Sequence, residues 1–558
     1  MKIKKINLYI IGLCIINIVQ SILTPIIHDE AYYWMFSKNL DFGYFDHPPM
    51  VALIIKLSSY LFSGILGVRF ITIVLFALTT KFIWELIPKK KKEHKYAELI
   101  FIIIIISNPI FNIYGFITTP DVPLLCFSAL FLLSLNNISK KGSFFDILIF
   151  GVSAALLIYS KYHGGIVILL TILFRLELLK KQGTYISGFI ALLLISAHIY
   201  WQYQNDFITF DYHLFQRTSG RFNFNNVLEY LFSTFGILNP ALIILLFVSL
   251  KNKSCFSEEN KFLIRTFFGF LIFFFFYSFR SRVEAHWVAF SAIPLSILIY
   301  NLSISNNNFK QLKYIGIVSI VLLFSARILI VLDIPLETEF HRQKKGYFMA
   351  ISALANGKKV VFVNSYQKAS KYFFFTGEES SSDNNVYYRK IQYDLLNSEE
   401  LFNNKQVLFI GNQPSSFFDS LQLKSKELIL YKVIDNYPVF NKLKATINNN
   451  NSKILNKKGK MDLTIYNPYS YTIDLLQKEL PYRIKFCLTK DNKRIFIPLK
   501  INNVKKLKPD MNNIITVQWD FNNILQGKYK LQIVMSAGYL YPKVISKKYN
   551  VEIKKNIA

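Results

Sequence analysis

Asp29 and Glu30 stand side by side in HDEAYYW (28–34), where the first long apolar run of the chain ends. Two adjacent carboxylates beside His28 can supply a base at a membrane surface, next to Tyr32 and Tyr33, rings on which a sugar can stack. An ordinary helix start accounts for the same pair, with Asp29 as a cap and Glu30 in the first turn. In GYFDHPP (43–49) the glycine and two prolines fix a sharp turn, which is expected to present Asp46 and His47 rather than pack them. Asp121, in TTPDVP (118–123), opens another apolar run, a place where an acid is favoured on helix-dipole grounds alone. KYHGG (161–165) sets Lys161 and His163 beside glycines that allow a backbone to approach a phosphate closely. RSRVEAHW (280–287) adds Arg280, Arg282, Glu284 and His286. Lys161, Arg280 and Arg282 together can grip an anionic headgroup; each can equally snorkel to an interface.

The elements that must position these residues follow from hydropathy. Of 558 residues 52% are apolar, and they crowd into the first three fifths, in runs such as 99–106 and 267–279 that no soluble core of ordinary size accommodates. Segments of about 17 to 25 mostly apolar residues fall near 6–27, 65–87, 96–115, 120–136, 144–160, 163–179, 184–204, 227–250, 262–279, 285–301 and 314–332. The chain is thus expected to be a mainly α polytopic membrane protein with about 11 transmembrane helices. The apolar stretch behind MKIKK is longer than a signal-peptide core and no small-residue cleavage site follows it, so it reads as a retained first helix starting in the cytoplasm. The inner loops then become 89–95, 136–142, 175–183, 251–261 and 301–313, where nearly all the clustered lysine lies. The net charge of +30 is explained by retention of these loops on the cytoplasmic side, which removes the case for a nucleic-acid partner.

The outer loops, 28–62, 116–120, 160–163, 202–226 and 280–284, carry the chemistry. His28, His47, His163, His213, His286 and His341 fall on or beside this face, with Asp29, Glu30, Asp46, Asp121 and Glu284. A reaction chamber opening outward is the economical reading, although interfaces attract His, Tyr and charged residues in any case. Within the first outer loop, 50–62 is too short to span and suits a helix lying in the interface, started by Pro48-Pro49. After Asp333 the pattern changes. Short buried-type strands at 360–364 and 406–411 suggest a small α/β region over 333–438, and alternating strands over 439–558 favour a β-sandwich. Both are expected outside the membrane, to bind, position or brace, since no nucleophile-base constellation occurs in them. Cys14 and Cys126 lie in apolar spans, Cys255 in a charged break and Cys487 in a strand-like run, so neither a disulfide framework nor a cysteine metal site is indicated. The histidines with Asp46 and Glu284 have separations that fit no compact metal motif; no metal is expected to be required, while a divalent cation bridging a donor phosphate stays open.

HDEAYYW, GYFDHPP, TTPD, KYHGG and RVEAHW, in that order at span ends, resemble the dolichyl-phosphate-mannose-protein mannosyltransferase-like group of GT-C glycosyltransferases, whose relatives include the bacterial aminoarabinose transferases that modify lipid A. The resemblance covers roughly residues 6–332, making 1–332 a GT-C-like catalytic domain. It implies a polyprenyl-phosphate sugar donor, a glycan, lipid or protein acceptor at the outer face of a bacterial cytoplasmic membrane, and inversion at the sugar. Asp29 matches the family's acid that activates the acceptor hydroxyl, Glu30 is its companion, and Asp121 resembles a second, supporting acid. His47 replaces a lysine that contacts donor phosphate in the aminoarabinose transferases, which shifts that task towards Lys161 with Arg280 or Arg282. Tyr32, Tyr33, Asp46, His163, Glu284 and His286 are then expected around the sugar or acceptor. Because the leaving group is already a phosphate, one base and a set of cations suffice, with no dedicated general acid. A transporter or flippase of lipid-linked sugars would also gather basic and aromatic residues, and a non-catalytic assembly protein presenting its outer domain is a third reading; transport, however, predicts polar residues deep in several spans, whereas these motifs gather at one face.

Overall fold

Each apolar segment of the first 332 residues falls on a helix or a pair of helices in the computed structural model. It describes residues 5–140, 142–218, 220–251, 257–305, 309–332, 339–340, 343–448, 454–491, 493–502, 504–522 and 524–554. Cys255, Asp333 and His341 lie outside the described residues. The chain forms two compact units, Met1–Lys344 and Lys345–Ala558.

In the first unit, helix α1 (Lys5–Leu23) is followed by α2 (His28–Lys38), α3 (Met50–Leu61) and α4 (Gly64–Leu86). The expected interface helix is α3, whose apolar face is buried while Leu57, Tyr60 and Leu61 stay exposed. Among the described residues seven helices are long and apolar enough to span a membrane: α1, α4, Asp121–Ser139, Gln182–Gln204, Glu258–Ser278, Ala285–Ser305 and Phe309–Val331. The expected continuous span 227–250 is instead two helices, Phe224–Ile237 and Pro240–Leu250, bent by 88°. Its break has a local cause: Asn239 sits at φ 67° and caps the second helix through the Ala241 N–H, and Pro240 has no N–H with which to continue the first. Counting that pair gives eight. The remaining expected spans are short helices, Ala97–Ser107, Phe144–Ser160 and His163–Phe174. The first of these stops at Asn108 because Pro109 follows, and Asn108 caps the next turn through the Ile110 N–H. Of about eleven expected spans, seven or eight thus have the length of a full crossing among the described residues, and the others fall on shorter apolar helices.

Burial separates the interior of this bundle from its rim. Ala285–Ser305 has 89% of its apolar window buried, against 11% for Phe309–Val331 and 17% for Gln182–Gln204. A helix apolar on every side needs protein or lipid all round it. The first finds protein and the other two leave apolar faces for lipid. α4 packs on α1, α3 and Asp121–Lys140, and Phe144–Ser160 packs between Asp121–Lys140 and Gln182–Gln204.

The second unit begins with a five-stranded sheet ordered β2-β1-β3-β5-β4, from β1 (Lys359–Val363), β2 (Ser380–Asp383), β3 (Val407–Ile410), β4 (Asp419–Gln422) and β5 (Leu428–Ile434). β1 runs parallel to β2 and β3, and β5 antiparallel to β3 and β4. Helices Lys345–Ala355 and Tyr366–Thr376 accompany it. Beyond it lie a six-stranded sheet containing Tyr482–Lys490, Lys493–Pro498, Gly527–Ala537 and Tyr549–Lys554, and a four-stranded sheet built on Lys458–Asn467 and Met511–Asp520. Alternation in the sequence sets the faces: Ile515, Val517 and Trp519 point inward from a strand whose Met511, Asn512, Ile514 and Gln518 are exposed. Leu463 and Ile515 of one sheet share a continuous apolar core with Phe486 and Ile533 of the other, and Val361, Val407 and Phe409 of the first sheet join it. The expected division at 438/439 thus falls inside one core, where α/β and β parts cannot be separated without opening it.

A unit with its own core should fold alone. Residues 345–558 expressed by themselves are predicted to give a β-rich circular dichroism spectrum and one cooperative thermal transition; two separate transitions, or none, would contradict a shared core.

Candidate active site

The site is organised around a buried ion pair. Arg69, inside the apolar run of α4, donates to both carboxylate oxygens of Glu30, from Nε to Oε1 at 2.7 Å and from Nη2 to Oε2 at 2.5 Å. Both side chains are fully buried. Burying two charges costs far more than surface pairing, and is tolerated only when every polar atom is satisfied. Here the remaining groups are satisfied. Arg69 also donates to the carbonyls of Ser21, Thr24 and Pro25 and to the Thr24 hydroxyl, while Glu30 accepts from the backbone N–H groups of Thr118 at 2.9 Å and Ile27 at 3.2 Å. One guanidinium therefore ties together the end of α1, the start of α2, α4 and the segment before Asp121. Glu30, placed beside Asp29 as its companion, is turned into the protein. Arg69 was not singled out from the sequence, although a guanidinium within GILGVRFITIVLF carries its own signal, since an isolated charge in a span needs a partner.

That anchor fixes two acids. Asp29 is half-buried, one residue from the clamped Glu30. Thr118 is held to α4 by hydrogen bonds to the Val68 carbonyl (2.9 Å) and with the Thr72 hydroxyl (2.7 Å), and Thr119 accepts from the Asp121 N–H (3.3 Å) at the start of Asp121–Lys140. The buried Tyr114 lies within electrostatic reach of both Asp29 and Asp121, so the two acids share one neighbourhood. Asp121 Oδ1 is 2.7 Å from Lys161 Nζ, and both side chains are almost wholly buried. Lys161 occupies the break between Phe144–Ser160 and His163–Phe174, where Gly164 is required because a Cβ there would lie 2.5 Å from the Leu157 carbonyl oxygen. Burial lowers the Lys161 pKa and Asp121 opposes the shift.

The loop 39–49 is packed, not presented. Gly43 lies so close to the Trp201 ring that a Cβ would stand 2.4 Å from it, and Trp201 Nε1 donates to Asp41 at 2.7 Å. His198 donates from Nδ1 to the Phe42 carbonyl, the Tyr44 ring stacks on Phe36 at 4.3 Å, and His213 donates from Nε2 to the Asp46 carbonyl at 3.1 Å. The expectation of an exposed Asp46-His47 is corrected: Asp46 is buried and His47 half-buried, because residues 198–213 close over the turn. His47 Nε2 shares a hydrogen bond with the Tyr33 hydroxyl at 3.2 Å, and burial pushes its pKa down to about 3. The imidazole is therefore neutral at physiological pH.

The other expected residues divide. Tyr32 and Tyr33 are buried, packing edge-on against Phe36, so their faces are not an open sugar platform. Arg280 is exposed, and Arg282, also exposed, pairs with Glu229 at 2.6 Å and more loosely with Glu284 at 3.8 Å. The cation that does turn inward is Arg217, from the 202–226 loop. Its guanidinium lies 4.3 Å over the Trp287 ring, 3.8 Å from Glu284, and within electrostatic reach of Lys161 and His286. The His163 ring packs between Phe274 and Trp287 at 5.0 Å from each, with Lys161, His286, His213 and His47 in electrostatic reach. Sequence reasoning missed Arg217 because FQRTSGRF has no spacing that distinguishes it from an ordinary basic loop. Among the described residues no group of three or more His, Cys, Asp or Glu has a metal-holding arrangement.

The chain resembles known proteins in part of its sequence and in its fold. Residues 46–201 match the family described as dolichyl-phosphate-mannose-protein mannosyltransferase. The chain is 24% identical over 232 residues to the lipid A galacturonosyltransferase RgtD of Rhizobium johnstonii, covering 38% of this chain and 46% of that protein, so it spans under half the relative's length. The structure of ArnT from Cupriavidus metallidurans in the apo state superposes with a TM-score of 0.57 at 9% identity, over 76% of this chain and 97% of that one. The same protein bound to undecaprenyl phosphate gives 0.56 at 10% identity, with the same coverage. Residues 46–201 are thus similar to the mannosyltransferase family in sequence, and the chain shares its fold with ArnT.

Proposed function

We propose that the chain moves a hexosyl or pentosyl group from a polyprenyl-phosphate-linked donor to a glycan, lipid or protein acceptor at the outer face of a bacterial cytoplasmic membrane, with inversion, and with its second unit extracytoplasmic. The observation that carries this reading is the placing of Asp29 one residue from the locked Glu30–Arg69 pair, in the neighbourhood of Tyr114 and the Asp121–Lys161 pair. The likeness to a fold that binds undecaprenyl phosphate in another protein supports the donor class.

In the proposed step Asp29 takes the proton of the acceptor hydroxyl as its oxygen attacks the anomeric carbon. The bond from that carbon to the phosphate oxygen breaks on the opposite side, and its electron pair leaves with the phosphate, so the configuration inverts. Lys161 and Arg217 offset the charge gathering on the phosphate. Lys161 arrives already paired to Asp121, which makes Asp121 a positioning residue: it holds the ammonium in place before the donor binds. Glu30 and Arg69 hold the backbone of Asp29 in the same sense. His47, neutral, can donate one hydrogen bond to an anion but no charge. Arg280 and Arg282 are left to the rim. No metal is required by these steps.

Three results test the reading. Asp29→Asn is predicted to lower sugar transfer in isolated membranes by at least about a hundred-fold, with thermal unfolding in detergent unchanged; full activity would remove the base. Lys161→Ala should raise the donor KM, and an unaltered donor affinity would remove its phosphate role. Glu30→Gln or Arg69→Met alone should destabilise the protein by about 3–5 kcal/mol, because each leaves one buried charge without its partner, whereas the double substitution recovers most of that loss. Additive losses in the double variant would mean that the pair is not coupled.

A further inference from the structure

The second unit carries an aromatic corner that the transfer step does not use. The strand Tyr482–Lys490 turns Ile484, Phe486 and Leu488 into the main core, so Arg483, Lys485 and Cys487 face the other way. On that outer face Val386, Cys487 and Val534 form a separate small core, with Phe496 and Val544 packed against it. The segment around Val386 reaches it from the end of β2 and is pinned by a hydrogen bond from the Val386 N–H to the Pro542 carbonyl at 2.8 Å. At the rim of this seam the Tyr387 ring lies 6.3 Å from Phe496 and 6.3 Å from Tyr541, at 75° and 85° to them, with the Arg494 guanidinium 5.0 Å over its face. Tyr387 is 55% exposed and Tyr541 60%.

Large exposed rings at a seam, steeply angled to one another, offer an open surface to a flat, partly apolar body with polar edges. On that outer face the two strands Tyr482–Lys490 and Lys493–Pro498 carry Arg483, Lys485 and Arg494 and no acid, while Asp491 lies in the turn between them. Pyranose rings offer apolar C–H faces, and a guanidinium over tyrosine is disposed to meet a carboxylate or phosphate. We propose that this corner, built on Tyr387, Tyr541, Phe496 and Arg494, binds an anionic sugar chain, bearing uronate or phosphate groups. The choice of a glycan over another anion rests on the reading of the chain as a glycosyltransferase; the site itself does not.

Full-length protein in detergent, titrated calorimetrically with oligogalacturonate, a phosphorylated mannose oligosaccharide and neutral maltohexaose, tests this directly. One or both anionic chains should bind, the tighter showing which anion is read, and maltohexaose should bind about ten-fold more weakly or not at all. Tyr387→Ala and Arg494→Gln should each weaken binding by about five-fold or more with thermal unfolding unchanged, while Lys424→Gln, an exposed charge on the turn between β4 and β5, should not. Equal affinity in Tyr387→Ala, an equal loss in Lys424→Gln, or no preference over maltohexaose would overturn the site. Asp29→Asn should bind these sugars as the unaltered protein does, so loss of transfer and loss of sugar binding are separable failures.

Discussion

The Glu30–Arg69 pair is the interaction that holds the segments of the candidate site together. Its two charges are fully buried, and their remaining hydrogen-bonding groups are met by the Thr118 N–H, the Thr24 hydroxyl and the carbonyls at the end of α1. Each of those groups belongs to a segment that also delivers a candidate site residue. Loss of the pair would therefore loosen the segments that carry Asp29 and Asp121 together.

A second buried pair, Asp121–Lys161, solves a related problem. An ammonium waiting for a phosphate inside a shielded site would be costly without a counter-charge, and Asp121 supplies one. In the proposed reaction a donor phosphate would compete with a carboxylate already in place, and Arg217 would share the load. Arg217 is only loosely held by Glu284 at 3.8 Å, and its stacking on Trp287 orients it without neutralising it.

Much of this was legible in the sequence, for physical reasons that can be named. Hydropathy located the helices because lipid leaves the backbone no alternative, and the alternation in 511–520 located strand faces. Asp29, Asp121 and Lys161 were singled out by their motifs at the outer ends of apolar runs and not by charge alone, since interfaces attract charged residues in any case. Helix lengths were less legible: Asn239-Pro240 and Asn108-Pro109 interrupt apolar runs whose composition barely changes across the break. The fate of GYFDHPP was hidden as well. Nothing local says that Trp201, more than 150 positions later, fills the space above Gly43 and buries the turn. The pairing of Arg282 with Glu229 was not legible either, because Glu229 lies outside the Arg282 motif.

The most direct test of the account is a structure of this protein with a polyprenyl phosphate bound. The account predicts the phosphate within hydrogen-bonding distance of Lys161 or Arg217, with an open space beside the Asp29 carboxylate on the side away from the lipid chain. A phosphate held elsewhere, or an Asp29 carboxylate sealed from the space around it, would contradict it.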